Sequence, residues 1–132
     1  ILPWWPSAND VHAAHDALLA ASRNPRDKKF PGIAVHGMVE NIIVDTMPRL
    51  VLTVDSLFYA CADLLRRLAI GHPYQQVNKR TALSIALTTL DANGVLVTVP
   101  EIDGDAYMRR LTHVRQGPAE IAEWLKRWHR NV

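Results

Sequence analysis

The chain has 132 residues, 48% of them hydrophobic and 21% charged, with a single cysteine. That suits one domain with an ordinary core, and it argues against a disordered chain, a disulfide-stapled scaffold or a bilayer helix, which needs about 18 consecutive apolar residues. A formal net charge of +2 is small for a nucleic-acid binder, so the late cations Arg109, Arg110, Arg115, Lys126, Arg127 and Arg130 are expected to be solvated helix faces.

In chain order, the apolar "LPWWP" at the start either packs on a neighbouring surface or covers the core. Ser7 and Asp10 have the spacing of a capping box, which opens a helix over 8–21 with Val11, Ala14 and Leu18 on one face. "RNPRDKKF", residues 23–30, is polar and proline-broken, hence a loop. "PGIAVHGMVENIIVDTM" is ambiguous; its first half is read as a β-flap and its second as a short helix. "TVDSLFYACADLLRRLAI" repeats Leu57, Cys61, Leu64 and Leu68 at helical spacing and leaves Asp55, Asp63, Arg66 and Arg67 outside. Thr53 or Asp55 can cap its start, and Gly71 can supply a left-handed stop.

"NKRTALSIALTTLDANG" confines its polar residues to a stripe of Thr81, Ser84, Thr88 and Asp91. A helix with so narrow a polar face is surrounded by protein, so it should be the central one, ended by Gly94. "VLVTV" is short enough for a minor strand or an extended connector. A further helix carries Tyr107, Leu111 and Val114 and ends at Gly117. Pro118 then opens the last one, whose inner face is Ile121, Trp124, Leu125 and Trp128. The expected architecture is all-α: one helical domain over 1–132 around a buried central helix, with a small β-flap.

The stretch most charged with chemistry is "GHPYQQVNKRTA", residues 71–82. Asn78, Lys79 and Arg80 fall in the first turn of the central helix, where free N–H groups and the positive end of the dipole already favour an anion. Arg80 adds a fork that can grip a phosphate on two oxygens, and Asn78 adds a neutral donor. Two cations in a first turn oppose the dipole, so they need a reason. His72 lies just ahead, and an imidazole, which titrates near neutrality, can take a proton from a hydroxyl nucleophile. A base beside a phosphate cradle is what transfer of a phosphate-containing group to a hydroxyl requires. The segment lacks the second glycine before the lysine, so it is not a Walker A loop.

"HPYQQVNKRTAL" resembles the signature of the Fic/Doc family: His-Pro-Phe, an intervening residue, an acid, a small residue, then Asn, Gly or Lys, and Arg. The Asn-Lys-Arg-Thr-Ala-Leu version is similar to that of the Doc, or death-on-curing, toxins. "HDALLA", "FPGI" and "LDANG" fall where Doc-like chains have comparable segments. The resemblance implies an all-α Fic fold whose flap docks a target segment in extended form. It implies His72 as general base and Asn78, Lys79 and Arg80 as phosphate-binding residues, with ATP and Mg²⁺ as cofactors. Fic members transfer AMP from ATP to a protein hydroxyl. Doc-type members transfer the terminal phosphate instead, with elongation factor Tu as the known kind of target. Lys79 stands where AMP-transferring members carry glycine, and Leu83 where they often carry a second arginine; both lean toward the Doc side.

The family's metal-holding acid falls at Gln76, and a neutral amide is a poor ligand for a hard cation. Three possibilities follow: Mg²⁺ held by the nucleotide's phosphates alone, a different donor, or a weakened enzyme. The alternatives to the Doc reading are an AMP-transferring Fic enzyme or a catalytically impaired Fic-fold interaction domain. The family's inhibitory pattern finds only "HGMVEN", with Glu40 and Asn41 but His36 in place of the hydroxyl residue, so a separate antitoxin is the expected control. His12 and His15, three apart, could share a metal only with a third ligand, and His36 reads as a surface residue. The lone Cys61 and the lack of a visible signal peptide make a reducing cytoplasm the expected location, with no membrane partner; a protein as substrate is what the resemblance implies. The chain opens on Ile1, so a few native residues are expected ahead of it.

Overall fold

Two long helices share the centre. The computed structural model describes residues 3–29, 31–48 and 53–130, apart from the Lys28 side chain. Its helices are α1 (Ala8–Ala21), α2 (Pro25–Lys29), α3 (Met38–Thr46), α4 (Val54–Gly71), α5 (Asn78–Ala92), α6 (Glu101–Leu111) and α7 (Pro118–Lys126). α4 packs against α5, α7 and α3, while α5 packs in turn against α1 and α6. The result is an all-α domain.

Local chemistry explains the boundaries. At α1 the Ser7 hydroxyl accepts the Asp10 N–H at 3.2 Å, and the Asp10 carboxylate accepts the Ser7 N–H at 2.8 Å. This is the reciprocal capping box expected from the spacing. Thr53 caps α4 by accepting the Ser56 N–H at 3.2 Å. α4 buries Leu57, Phe58, Cys61, Leu64, Leu65 and Leu68, and Cys61 is wholly inaccessible. Each leucine so buried contributes about 2 kcal/mol of transfer free energy. α5 ends as expected: Gly94 adopts φ +80°, its N–H reaches the Asp91 carbonyl at 2.9 Å, and the Val95 N–H reaches Leu90 at 2.9 Å.

Other expectations are corrected. The segment 23–30 is not all loop, because Pro25 opens the five-residue helix α2. The left-handed stop of α4 is His72, at φ 51°, and Gly71 is the last helical residue. A Cβ at Gly71 would lie 2.9 Å from the Met38 sulfur, so the glycine serves close packing of α3 on α4. The flap contains no strand among the described residues; it is reduced to a bridge between Ile33 and Tyr74, flanked by N–H bonds from Ala34 and Val35 to the Pro73 carbonyl. The polar stripe of α5 is only partly its solvent face: Thr88 and Asp91 are exposed, but Thr81 is buried and returns its hydroxyl to the Val77 carbonyl at 2.7 Å. α6 ends at Leu111, short of the expected Gly117, so Val114 lies beyond it and is exposed.

"VLVTV" forms a connector that pairs with the chain end through Val97 and His129. Trp124 stacks on Tyr107 at 3.8 Å, while Trp128 sits past the end of α7, half-buried. Of "LPWWP", Ile1 and Leu2 lie outside the described residues; Trp5 packs on the core and Trp4 is exposed. Among the described residues no helix is long and apolar enough to cross a membrane.

Candidate active site

Residues 72–77 link the two central helices, and both ends of the link are left-handed at non-glycine residues, His72 (φ 51°) and Val77 (φ 67°). Such a backbone persists only where its surroundings hold it. Asn78 is one restraint: its Oδ1 accepts the Tyr74 N–H at 3.0 Å, and its Nδ2 donates to the Tyr74 carbonyl at 2.8 Å. The side-chain amide expected to face an anion is thus bonded to the loop through its oxygen and one of its two N–H groups, while the backbone N–H of Asn78 lies in the first turn of α5. The first intrahelical bond of α5 runs from Thr81 to Val77, so the N–H groups of Asn78, Lys79 and Arg80 precede the ladder and remain as donors.

His15 and His12 supply the second restraint, from α1. The His15 ring lies flat on Tyr74, with centroids 3.7 Å apart, and its Nε2–H donates to the Gln76 backbone carbonyl at 3.0 Å. The partner is a carbonyl, which can only accept, so Nε2 carries a proton. His12 places Nε2 3.3 Å from the Glu40 carboxylate and Nδ1 2.7 Å from the Tyr74 hydroxyl. In a neutral ring that makes Tyr74 the donor to Nδ1. Burial, reinforced by the charges of Asp16 and Glu40, pushes the Tyr74 phenol up and keeps it protonated. The two histidines therefore clasp Tyr74 instead of sharing a metal. Glu40 is bound to His12, and His36 is exposed as expected.

His72, Gln76, Asn78, Lys79, Arg80 and Asp27 line one open cavity of about 310 Å³. The residues singled out in the sequence thus meet at one place. A second cavity, about 360 Å³, continues from Lys79 and Arg80 toward Leu83, Glu101 and Arg109. His72 also borders a third, about 320 Å³, with Leu111, His113 and Arg115. His72 therefore has the cavity with Lys79 and Arg80 on one side and open space on the other.

Asp27 is the member that sequence spacing did not reveal. Its Oδ2 accepts Nη2 of Arg80 at 2.7 Å and the Ser22 hydroxyl at 2.5 Å. The Ser22 hydrogen bond, then Arg80, holds this carboxyl below the usual carboxylate range against the opposing effect of burial. The residues present do not make a Mg²⁺ site: Gln76 is neutral, the cavity's one carboxylate is engaged by Arg80, and no three His, Cys, Asp or Glu side chains gather among the described residues.

Fold and site together define an all-α domain with two cations and free N–H groups at a helix N-terminus and a histidine beside them. The chain is 36% identical over 92 residues to the protein kinase doc of Escherichia phage P1, a match that covers 69% of each chain. No protein-family model matches. At that identity and coverage the chain belongs to the Doc family.

Proposed function

We propose that the chain is a Doc-type phosphotransferase with the Fic fold, moving the terminal phosphate of ATP to a Ser or Thr hydroxyl of a translation factor such as elongation factor Tu. It would act as a toxin held in check by a separate antitoxin. The observation that carries this reading is the shared cavity, which puts His72 beside the N–H groups and cations of the first turn of α5. The kinase named in phage P1 supports the phosphate as the transferred group.

In the step proposed, the acceptor hydroxyl gives its proton to the His72 imidazole, and its oxygen attacks the γ-phosphorus. The bond from that phosphorus to the β–γ bridging oxygen breaks, and ADP leaves with the electron pair. Lys79, Arg80 and the N–H groups at the start of α5 meet charge on the phosphate oxygens, where preorganised donors contribute most. Mg²⁺, where present, arrives as part of the substrate, bound to ATP.

The test uses the pure chain, cell extract and ATP labelled at either the α- or the γ-phosphate. Label should enter protein from the γ position alone. His72→Asn should abolish that labelling while ATP binding stays within a few-fold, because the base acts on the hydroxyl and not on the phosphates. Asparagine also tolerates the left-handed backbone, so the loop is kept. Transfer of label from the α position would place the chain with AMP-transferring Fic enzymes. A second reading, an interaction domain without catalysis, is favoured by Gln76; ATP binding without labelling from either position would support it.

A further inference from the structure

Arg80 makes the shortest ion pair among the described residues, to a carboxylate 53 positions away on a five-residue helix. Asp27 is only 5% exposed, whereas the Arg80 side chain is 45% exposed. The fixed partner is therefore the acid. Its place is set from α1: Ser22 caps that helix through its N–H to Leu19, its hydroxyl accepts the Asn24 N–H at 3.2 Å and donates to Asp27, and the Asn24 side chain accepts the Arg26 N–H at 3.0 Å. Each link in this chain is short and local, so Asp27 is held firmly before Arg80 reaches it.

We propose that Asp27 is a positioning residue that fixes the guanidinium of Arg80 for gripping the phosphates of the substrate. The inference deepens the phosphotransferase reading and rests on it. Two effects compete. A carboxylate beside Arg80 weakens the field felt by an incoming anion, yet it also removes the freedom of a long, half-exposed side chain. The burial of Asp27 decides between them. If a phosphate displaced the carboxylate, Asp27 would be left charged, enclosed and without its cation, which is costly. The pair therefore persists when an anion binds. It uses one nitrogen of a group with five N–H donors, so the others stay open to phosphate oxygens.

Calorimetry on the full chain, with inorganic triphosphate and with Mg²⁺-free ATP as probes, tests this through a double-mutant cycle. Asp27→Asn keeps the shape and removes the charge; it should weaken both probes by about tenfold, the scale of one charge-assisted hydrogen bond. In an Arg80→Ala background the same change should have less than about a twofold effect, because there is no guanidinium left to position. Equal or tighter binding by Asp27→Asn would overturn the proposal and make the acid a restraint on the site. An equal loss in both backgrounds would also overturn it, since damage to the fold does not depend on Arg80. Should Asp27→Asn fail to fold, Ser22→Ala removes one donor from the same carboxylate and should give a milder loss with the same dependence on Arg80; no loss overturns the proposal. A parent chain that binds neither probe would sink the phosphate site and this inference together. A parent that binds both and shows the cycle, yet transfers no label, would sustain the inference and sink the transferase.

Discussion

Val77 is the least expected residue in the site. A β-branched side chain at φ 67° costs about 1–2 kcal/mol of backbone strain, and His72 adds a second left-handed position. Asn78 and His15 meet that cost by fixing Tyr74 and the Gln76 carbonyl. That His72 and the Asn-Lys-Arg triplet share one cavity was legible in the sequence because they lie within nine residues of one another. The clasp of His12 and His15 on Tyr74 was not, since it joins residues about sixty apart and a pair at i, i+3 reads equally well as half a metal site. Asp27 left one trace, the two cations at the start of α5, which pointed to an anionic partner without naming it. The acid also predicts a pH dependence. Its folded carboxyl lies below the ordinary value of 3.8, so its contribution to stability is complete above that value and is lost as pH falls through the lower, folded one. The melting temperature of the chain should exceed that of Asp27→Asn by a constant margin above pH ~5, and the margin should shrink as pH drops below ~4. A margin that grows in acid would contradict the pairing seen here.

At the scale of elements, the helices with strong periodicity and clear caps were legible almost to the residue: α1 through its capping box, α4 through its leucine repeat and Thr53, and α5 through Gly94. What the pattern did not give were elements made by tertiary contact. α2 has five residues and no apolar stripe, and the flap owes its one bridge to Tyr74. Gly71 was misassigned because a glycine at a helix end has two uses, and the sulfur of Met38 that decides between them lies on α3. The conformational use can be isolated experimentally. Gly94→Ala forces a side chain into φ +80° where nothing crowds the new atom, so its cost of about 1 kcal/mol is conformational, and the melting temperature should fall by about 3–5 °C. Gly117 also has open space at its Cβ but an ordinary φ of −82°. Gly117→Ala should stay within about 0.5 kcal/mol of the parent. Equal losses for the two variants would mean that the conformation of Gly94 is not what its glycine serves.

For the molecule as a whole, α4 is the element on which α3, α5 and α7 converge, and Cys61 lies at its middle with no accessible surface. Burial pushes this thiol up to about 12, so the native state offers a labelling reagent neither access nor thiolate. The only sulfhydryl in the chain thereby becomes a clock for global opening. At pH 8 a thiol reagent should modify the folded chain no faster than the core opens, and the rate should rise to that of a free cysteine once denaturant has unfolded it. If the cavity takes ATP, saturating nucleotide should slow labelling in proportion to the occupancy of the folded state, since a ligand bound to that state alone withdraws it from the opening equilibrium. Nucleotide affinity could then be measured without knowing the target, the antitoxin or even whether transfer occurs. Rapid labelling of the native chain would show instead that α4 opens on its own, apart from the rest of the fold.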